Sequence, residues 1–175
     1  MASSSFVHLQ CQSEYSVKNS LIRVPKLIKS VQQAGMDSVA LTDDMSLFSA
    51  VKFYQKAIDY GVKPIIGAKV VVAFSSGQYD VTMLCQNNEG YLNLSELISK
   101  AYLSEHGIEG VSVTEEQLVE HQSGLIMVAT SVSSDIAQLL LGKESKLAEK
   151  KALNWKSIFS DRYYMSVQRT DRSSD

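Results

Sequence analysis

The strongest constraint on the fold is an alternation of short β-branched runs with amphipathic segments along nearly the whole chain. SVALTD at 38–43, VKPIIGAKVVVAF at 62–74, YDVTMLC at 79–85, GLIMVAT at 124–130 and RYYMSVQ at 162–168 read as strands, and Phe6–Leu9 as a shorter apolar one. Between them lie segments with helical spacing. Val24–Ala34 places Leu27, Ile28 and Val31 on one face, with Pro25 suited to a first turn and Gly35 to a stop. Leu47–Tyr60 groups Leu47, Val51 and Tyr54, with Gly61 closing it, and Asn87–Glu105 carries Leu92, Leu94, Leu97, Ile98 and Ala101. Thr114 and Gln117 form a capping box that opens a short helix to about His121, and Ser133–Leu141 and Lys146–Phe159 are further helices. Gly67 interrupts the strand at 62–74, and Gly77 marks a turn. This order predicts an α/β fold with a mostly parallel sheet, open or barrelled. The chain ends just after a strand with no helix to cover it, so a fragment of a longer polypeptide is expected.

At 175 residues the chain fits one domain, with 45% apolar and 21% charged residues as in ordinary globular proteins. A net charge of −2 argues against holding nucleic acid by phosphate neutralisation alone. Cys11 and Cys85 form no ligand or redox spacing, which points to a reducing, cytoplasmic compartment. No apolar run approaches the roughly 20 residues of a membrane span, and MASSS has no apolar core of a signal peptide.

The stretch HLQCQSEYS at 8–16 bears on chemistry. Positions 10 and 12 of an extended segment point the same way, so a His-x-His there would aim two imidazoles at one metal. Gln10 and Gln12 offer neutral amides instead, which are weak ligands. The spacing is that of a metal site and the chemistry that of a silenced one.

FVHLQCQSEYS, ALTDDMSLFSAVKFYQKA, GVKPIIGAKVVV, NNEGYLNLSELISKAY and HQSGLIMVA, in this order and spacing, resemble the polymerase and histidinol phosphatase (PHP) domain at the N-terminus of bacterial DNA polymerase III alpha subunits. The resemblance runs from Phe6 to about Thr170. It implies residues 1–5 as a disordered tail, 6–170 as a truncated PHP domain, and 171–175 as a frayed end. The implied fold is part of a distorted, TIM-like (βα)7 barrel. In active relatives of the family His, Asp and Glu at the strand ends hold metals that hydrolyse phosphoesters, by generating hydroxide and neutralising phosphoryl charge.

Carried over residue by residue, the ligand pair falls on Gln10 and Gln12, with His8 preceding it. Asp43 is kept, and Asp44 stands where a histidine is usual. An expected acidic ligand is Lys69, which has no lone pair while protonated. Asp80 replaces a histidine of many relatives, Ser131 falls on the family's strand-end cysteine, and Asp135 on its nearby acid. The resemblance with these losses implies no metal cluster, no catalysis and no cofactor in this domain, Mg²⁺ being expected only at the polymerase site of the parent protein. Lys69 is expected either to neutralise Asp43 or Asp44 across the barrel mouth or to reach into water.

The implied role is a structural module of a replicative polymerase. Its partners would be the rest of the alpha subunit and the proofreading exonuclease subunit, with DNA met through the parent protein and no membrane. The competing reading is a metal-dependent PHP phosphoesterase or 3′–5′ exonuclease using Asp43, Asp44, Asp80 and Asp135, since Mg²⁺ and Mn²⁺ accept oxygen ligands. A nucleic-acid-binding module has little support in the charge balance. His106 and His121 read as solvated or capping groups, and Cys11 as a buried filler. Phe48, Phe53, Tyr54 and Tyr60 read as core residues rather than a base-stacking platform. KESKLAEKK at 143–151 reads as a solvated helix face.

Overall fold

The computed structural model describes residues 6–74, 77–104, 110–129 and 133–167. The element order is α1 (Val24–Gln33), β1 (Ser38–Asp44), α2 (Ala50–Asp59), β2 (Lys63–Phe74), β3 (Gly77–Cys85), α3 (Asn88–Leu103), β4 (Val113–Thr114), α4 (Glu115–Glu120), β5 (Leu125–Ala129), α5 (Asp135–Leu141), α6 (Ser145–Phe159) and, after a single 3₁₀ turn, β6 (Tyr163–Met165). The helices begin where the local chemistry allows. Pro25 sits in the first turn of α1. Asn87 accepts from the Gly90 N–H at the start of α3, and the Thr114–Gln117 capping box opens α4.

The strands form one sheet in the order β1-β2-β3-β5-β6, with β4 pairing the far end of β2. The α/β class stands as expected, but the sheet is mixed. β1 and β2 pair in parallel, whereas β3 runs antiparallel to both β2 and β5. A hairpin replaces a helical crossover at that point, so no helix lies between β2 and β3. Among the described residues the sheet does not close into a barrel. The strand expected at Phe6–Leu9 is reduced to a single bridge, His8 to Val39, although the segment runs beside β1 with the N–H groups of Ala40 and Thr42 donating to the carbonyls of His8 and Cys11. The last strand is likewise shorter than 162–168.

Strand periodicity divides the side chains between two faces. Val39 and Leu41 of β1 pack with Ile28 and Val31 of α1 and with Phe53 and Ala57 of α2. Ala68, Val70 and Val72 of β2 join Val81, Met83, Leu94, Met127 and Trp155 in the larger core. The opposite, concave face carries Ala40, Leu84 and Val128 with Ile65 and Ile126. A concavity of about 710 Å³ opens over that face, with residues 6–10 along one side and 164–167 along the other, so the sheet curls until its two edges overlook the same space.

Helix α2 is rotated relative to the expected face. Ala50, Phe53 and Ala57 are buried, while Phe48, Val51 and Tyr54 are exposed. Of the aromatic residues expected in the core, only Phe53 is fully buried. The small alanines let α2 sit close to α1 and β2, and a larger residue on that side would hold it off.

Gly90, in the first turn of α3, meets the backbone of Gly124 ahead of β5. A Cβ on Gly90 would lie 1.9 Å from the Gly124 carbonyl oxygen. Gly90→Ala should therefore lower stability by about 2 kcal/mol or more through forced overpacking, read as a lower urea midpoint with an unchanged slope; a midpoint equal to that of the parent chain would refute this account of the α3–β5 junction.

Candidate site at the mouth of the concave face

The register of the sheet decides which polar residues meet. Asp44 lies opposite Lys69, and Lys69 opposite Thr82. All three share the concave face with Asp80, two residues before Thr82. Asp43, the immediate neighbour of Asp44, must point to the other side. Two adjacent aspartates thus serve two separate sites.

On the concave face the Lys69 ammonium lies 2.9 Å from Asp44 Oδ1 and 3.5 Å from Asp80 Oδ2. Gln12 Nε2 donates to Asp44 Oδ1 at 2.6 Å, and Asn19 Nδ2 to Asp44 Oδ2 at 2.6 Å. Gln10 Nε2 reaches Thr82 Oγ1 at 3.4 Å. Burial alone would lower the Lys69 pKa, but the hydrogen bond that Lys69 donates to Asp44 and the charges of Asp80 and Asp44 outweigh it and shift it upward. Lys69 is therefore a fixed cation between two acids and does not extend into water. Of its two expected partners it takes Asp44, and adds Asp80.

On the other side Asp43 is buried and takes four hydrogen bonds. Its Oδ1 accepts from the Ser13 N–H at 2.6 Å and Ser16 Oγ at 2.8 Å, and its Oδ2 from Ser13 Oγ at 2.8 Å and Ser49 Oγ at 2.5 Å. Ser16 Oγ also accepts from the Asp44 N–H. Neutral donors occupy the lone pairs that a metal would need. Among the described residues no group of three His, Cys, Asp or Glu side chains is placed to hold a metal ion.

Of the remaining predicted positions, His8 sits at the edge of β1, with its ring against Phe6. Asp135 is buried elsewhere, accepting from Trp155 Nε1 at 2.7 Å and from the Ile136 N–H at 2.8 Å, so it joins α5 to α6. Its burial raises its pKa against the opposing pull of those two bonds. Ser131 and His106 lie outside the described residues. His121 caps α4: Lys100 can only donate, so His121 Nε2 accepts from it, and Nδ1–H donates to the Gln117 carbonyl. Burial pushes the Cys11 thiol up, and Cys85 to about 12, which keeps both protonated and unreactive at neutral pH. Sequence reasoning missed Ser13, Ser16, Ser49, Asn19 and Thr82. The Ser-x-x-Ser spacing at 13 and 16 was the one available sign.

A mixed sheet with helices on its outer side and a polar mouth at the C-terminal end of β1, beside the middle of β2, defines a PHP-type α/β domain. The PHP domain model matches residues 8–170, and the chain belongs to that family. The sequence is 36% identical to the DNA polymerase III subunit alpha of Pseudomonas fluorescens over 98% of this chain, and 34% identical to that of Escherichia coli K12 over all of it. In each case it spans 15% of the relative's length. Among solved structures, a protein assigned as a metal-dependent phosphoesterase from Bifidobacterium adolescentis aligns over 79% of this chain and 74% of its own, with a TM-score of 0.56 at 8% identity. An amidohydrolase from Chromobacterium violaceum, solved with bound sulfate and no metal, aligns over 93% and 86%, with a TM-score of 0.56 at 10% identity. At these identities the likeness is one of fold.

Asp43→Ala would orphan three buried hydroxyls and the Ser13 N–H, so a loss of about 3 kcal/mol is expected, read by chemical denaturation. Lys69→Met should cost less and should flatten the alkaline limb of the stability–pH curve. The upward shift of Lys69 means that its contribution is complete below the unfolded value of 10.5 and disappears as pH rises through the folded value. An alkaline limb unchanged by Lys69→Met would contradict this assignment.

Proposed function

We propose that this PHP domain is a metal-free, non-hydrolytic structural module at the N-terminus of a longer polypeptide of the DNA polymerase III alpha type. In this reading it braces the polymerase body and offers a docking surface to the proofreading exonuclease subunit, while DNA synthesis and its Mg²⁺ belong to a polymerase site elsewhere in the parent protein. The observation that carries the proposal is the internal cation. The Lys69 ammonium lies between Asp44 and Asp80, where its charge offsets part of theirs and takes the place that a cation would otherwise fill. The donor set does not fit a hydrolytic metal centre, because Gln10 and Gln12 offer amides and the oxygens of Asp43 are taken by serines. Similarity to bacterial replicative polymerase subunits supports the replication role. Among the described residues no helix is long and apolar enough to cross a membrane, in keeping with the proposed cytoplasmic location.

Titration with Mn²⁺ and Zn²⁺, followed by elemental analysis after desalting, tests the metal-free reading. We expect no stoichiometric metal and no turnover of a phosphate monoester or of 3′-ended single-stranded DNA. Tightly held metal that is lost in Asp44→Ala, with hydrolysis abolished by chelation, would establish the phosphoesterase reading instead. Docking is tested separately, by mixing the chain with the exonuclease subunit. Failure to associate, where the full alpha subunit binds, would place the interface outside these residues.

A further inference from the structure

The segment that wraps Asp43 and runs into α1 carries a charge pattern opposite to that of the whole chain. Residues 15–36 hold Lys18, Arg23, Lys26 and Lys29 and no acid, in a chain whose net charge is −2. Much of this charge is gathered in space. Arg23, just ahead of α1, and Lys26, on the exposed side of that helix, meet Lys52 of α2 around a cleft of about 350 Å³, with Glu14 as the single acid among its described lining residues. Glu14 is shared between Lys52 at 3.0 Å and Arg23 at 3.8 Å, so three cations face one carboxylate. Lys26, and Lys29 one turn further along α1, form no ion pair among the described residues.

Beside this cleft the chain holds aliphatic side chains out into water. Leu21 is 95% exposed and Val17 85%, and Ile22 leads directly into Arg23. These are not the tips of a loose loop. Ser13 and Ser16 are bound to Asp43, and Asn19 donates to Asp44. The Ser20 hydroxyl donates to the Gln12 carbonyl at 2.7 Å, and the Glu14 N–H to the Ile22 carbonyl at 2.8 Å. The two aspartates of β1 thus fix the segment that presents both the cations and the aliphatic groups. A surface fixed before it meets a partner loses little conformational freedom on binding.

We infer that this surface docks an acidic segment of polypeptide, whose carboxylates meet Arg23, Lys26 and Lys29 and whose aliphatic side chains cover Leu21 and Ile22. The sign of the local charge sets the sign of the partner. Shape and composition select a peptide from among the polyanions. The cations surround a concavity, which admits a single carboxylate side chain and not a plane of lipid headgroups. A nucleic-acid backbone would match the cations and leave Leu21 and Val17 in water, because bases stack on aromatic rings or guanidinium planes and not on aliphatic branches. The nearby Tyr15 ring is already faced by the Lys52 ammonium, 5.5 Å from its centre. A docked segment here requires neither the metal-free mouth nor the exonuclease subunit proposed above.

Fluorescence anisotropy of a labelled synthetic peptide, glutamates and leucines in a serine–glycine background, titrated with the 175-residue chain, tests the inference. The parent chain should bind it, more weakly as salt is raised. Lys26→Glu/Lys29→Glu should raise the dissociation constant by about tenfold or more, and Leu21→Ser by about threefold or more. Lys150→Glu, on the exposed side of α6, should have no effect. These side chains are on the surface, so circular dichroism and thermal midpoints should stay those of the parent. A peptide with serine in place of every leucine should bind more weakly than the first. No binding up to millimolar chain, or binding unchanged in Lys26→Glu/Lys29→Glu, overturns the proposal. So does equal affinity for the leucine and serine peptides, or tighter binding of a single-stranded oligonucleotide or of phosphatidylserine vesicles that Leu21→Ser leaves unaltered, either of which would make the patch a general anion surface.

Discussion

The carboxylate of Asp43 is the knot on which the arrangement of the N-terminal half depends. It is buried without a cationic partner and is held by donors from residues 13, 16 and 49. Those residues belong to the extended N-terminal segment and to the entry of α2, and Asp43 itself to the end of β1. The N-terminal segment, about thirty residues away, and the entry of α2, six residues on, are therefore fixed to one pair of oxygens. A buried carboxylate survives only when its hydrogen-bonding capacity is filled, and here filling it also sets the path of residues 8–16 along β1. Gln10 and Gln12 reach the concave face because of that path.

The concave face follows from the same geometry. Once β1 and β2 pair in register, Asp44 and Lys69 must be neighbours, and reversal of the chain in the hairpin brings Asp80 to the other side of the lysine. The result is a closed polar arrangement of two acids, one cation and two side-chain amides. It differs from a metal centre in how its charge is supplied. A metal is lost by exchange with solvent, whereas an ammonium is attached to the backbone and cannot leave.

Much of this was legible in the sequence. β-Branched runs marked most of the strands, and the Thr114–Gln117 pair marked the start of α4, because these signals are local. Strand direction was not legible. Period-two alternation reads the same both ways, so YDVTMLC at 79–85 could not reveal that it runs opposite to its neighbours. The face of α2 was misjudged because Ala50 and Ala57 carry little hydrophobic signal beside Phe48, Val51 and Tyr54, although close packing on α1 and β2 favours small residues. The pairing of Lys69 with Asp44 was open to inference from charge alone. The serines around Asp43 were hidden by sequence distance, and Asp135 shows how an acid at a familiar position can serve packing, here by holding Trp155.

The division of labour between Asp43 and Asp44 has an evolutionary consequence. The residue that anchors the fold is Asp43, and its donors, three serine hydroxyls and the Ser13 N–H, lie on a different face from positions 10, 12 and 69. Substitutions at those three places would thus leave the Asp43 anchor of the scaffold intact. Anchor and polar mouth can therefore vary independently, so a change of chemistry on the concave face need not carry a cost in folding.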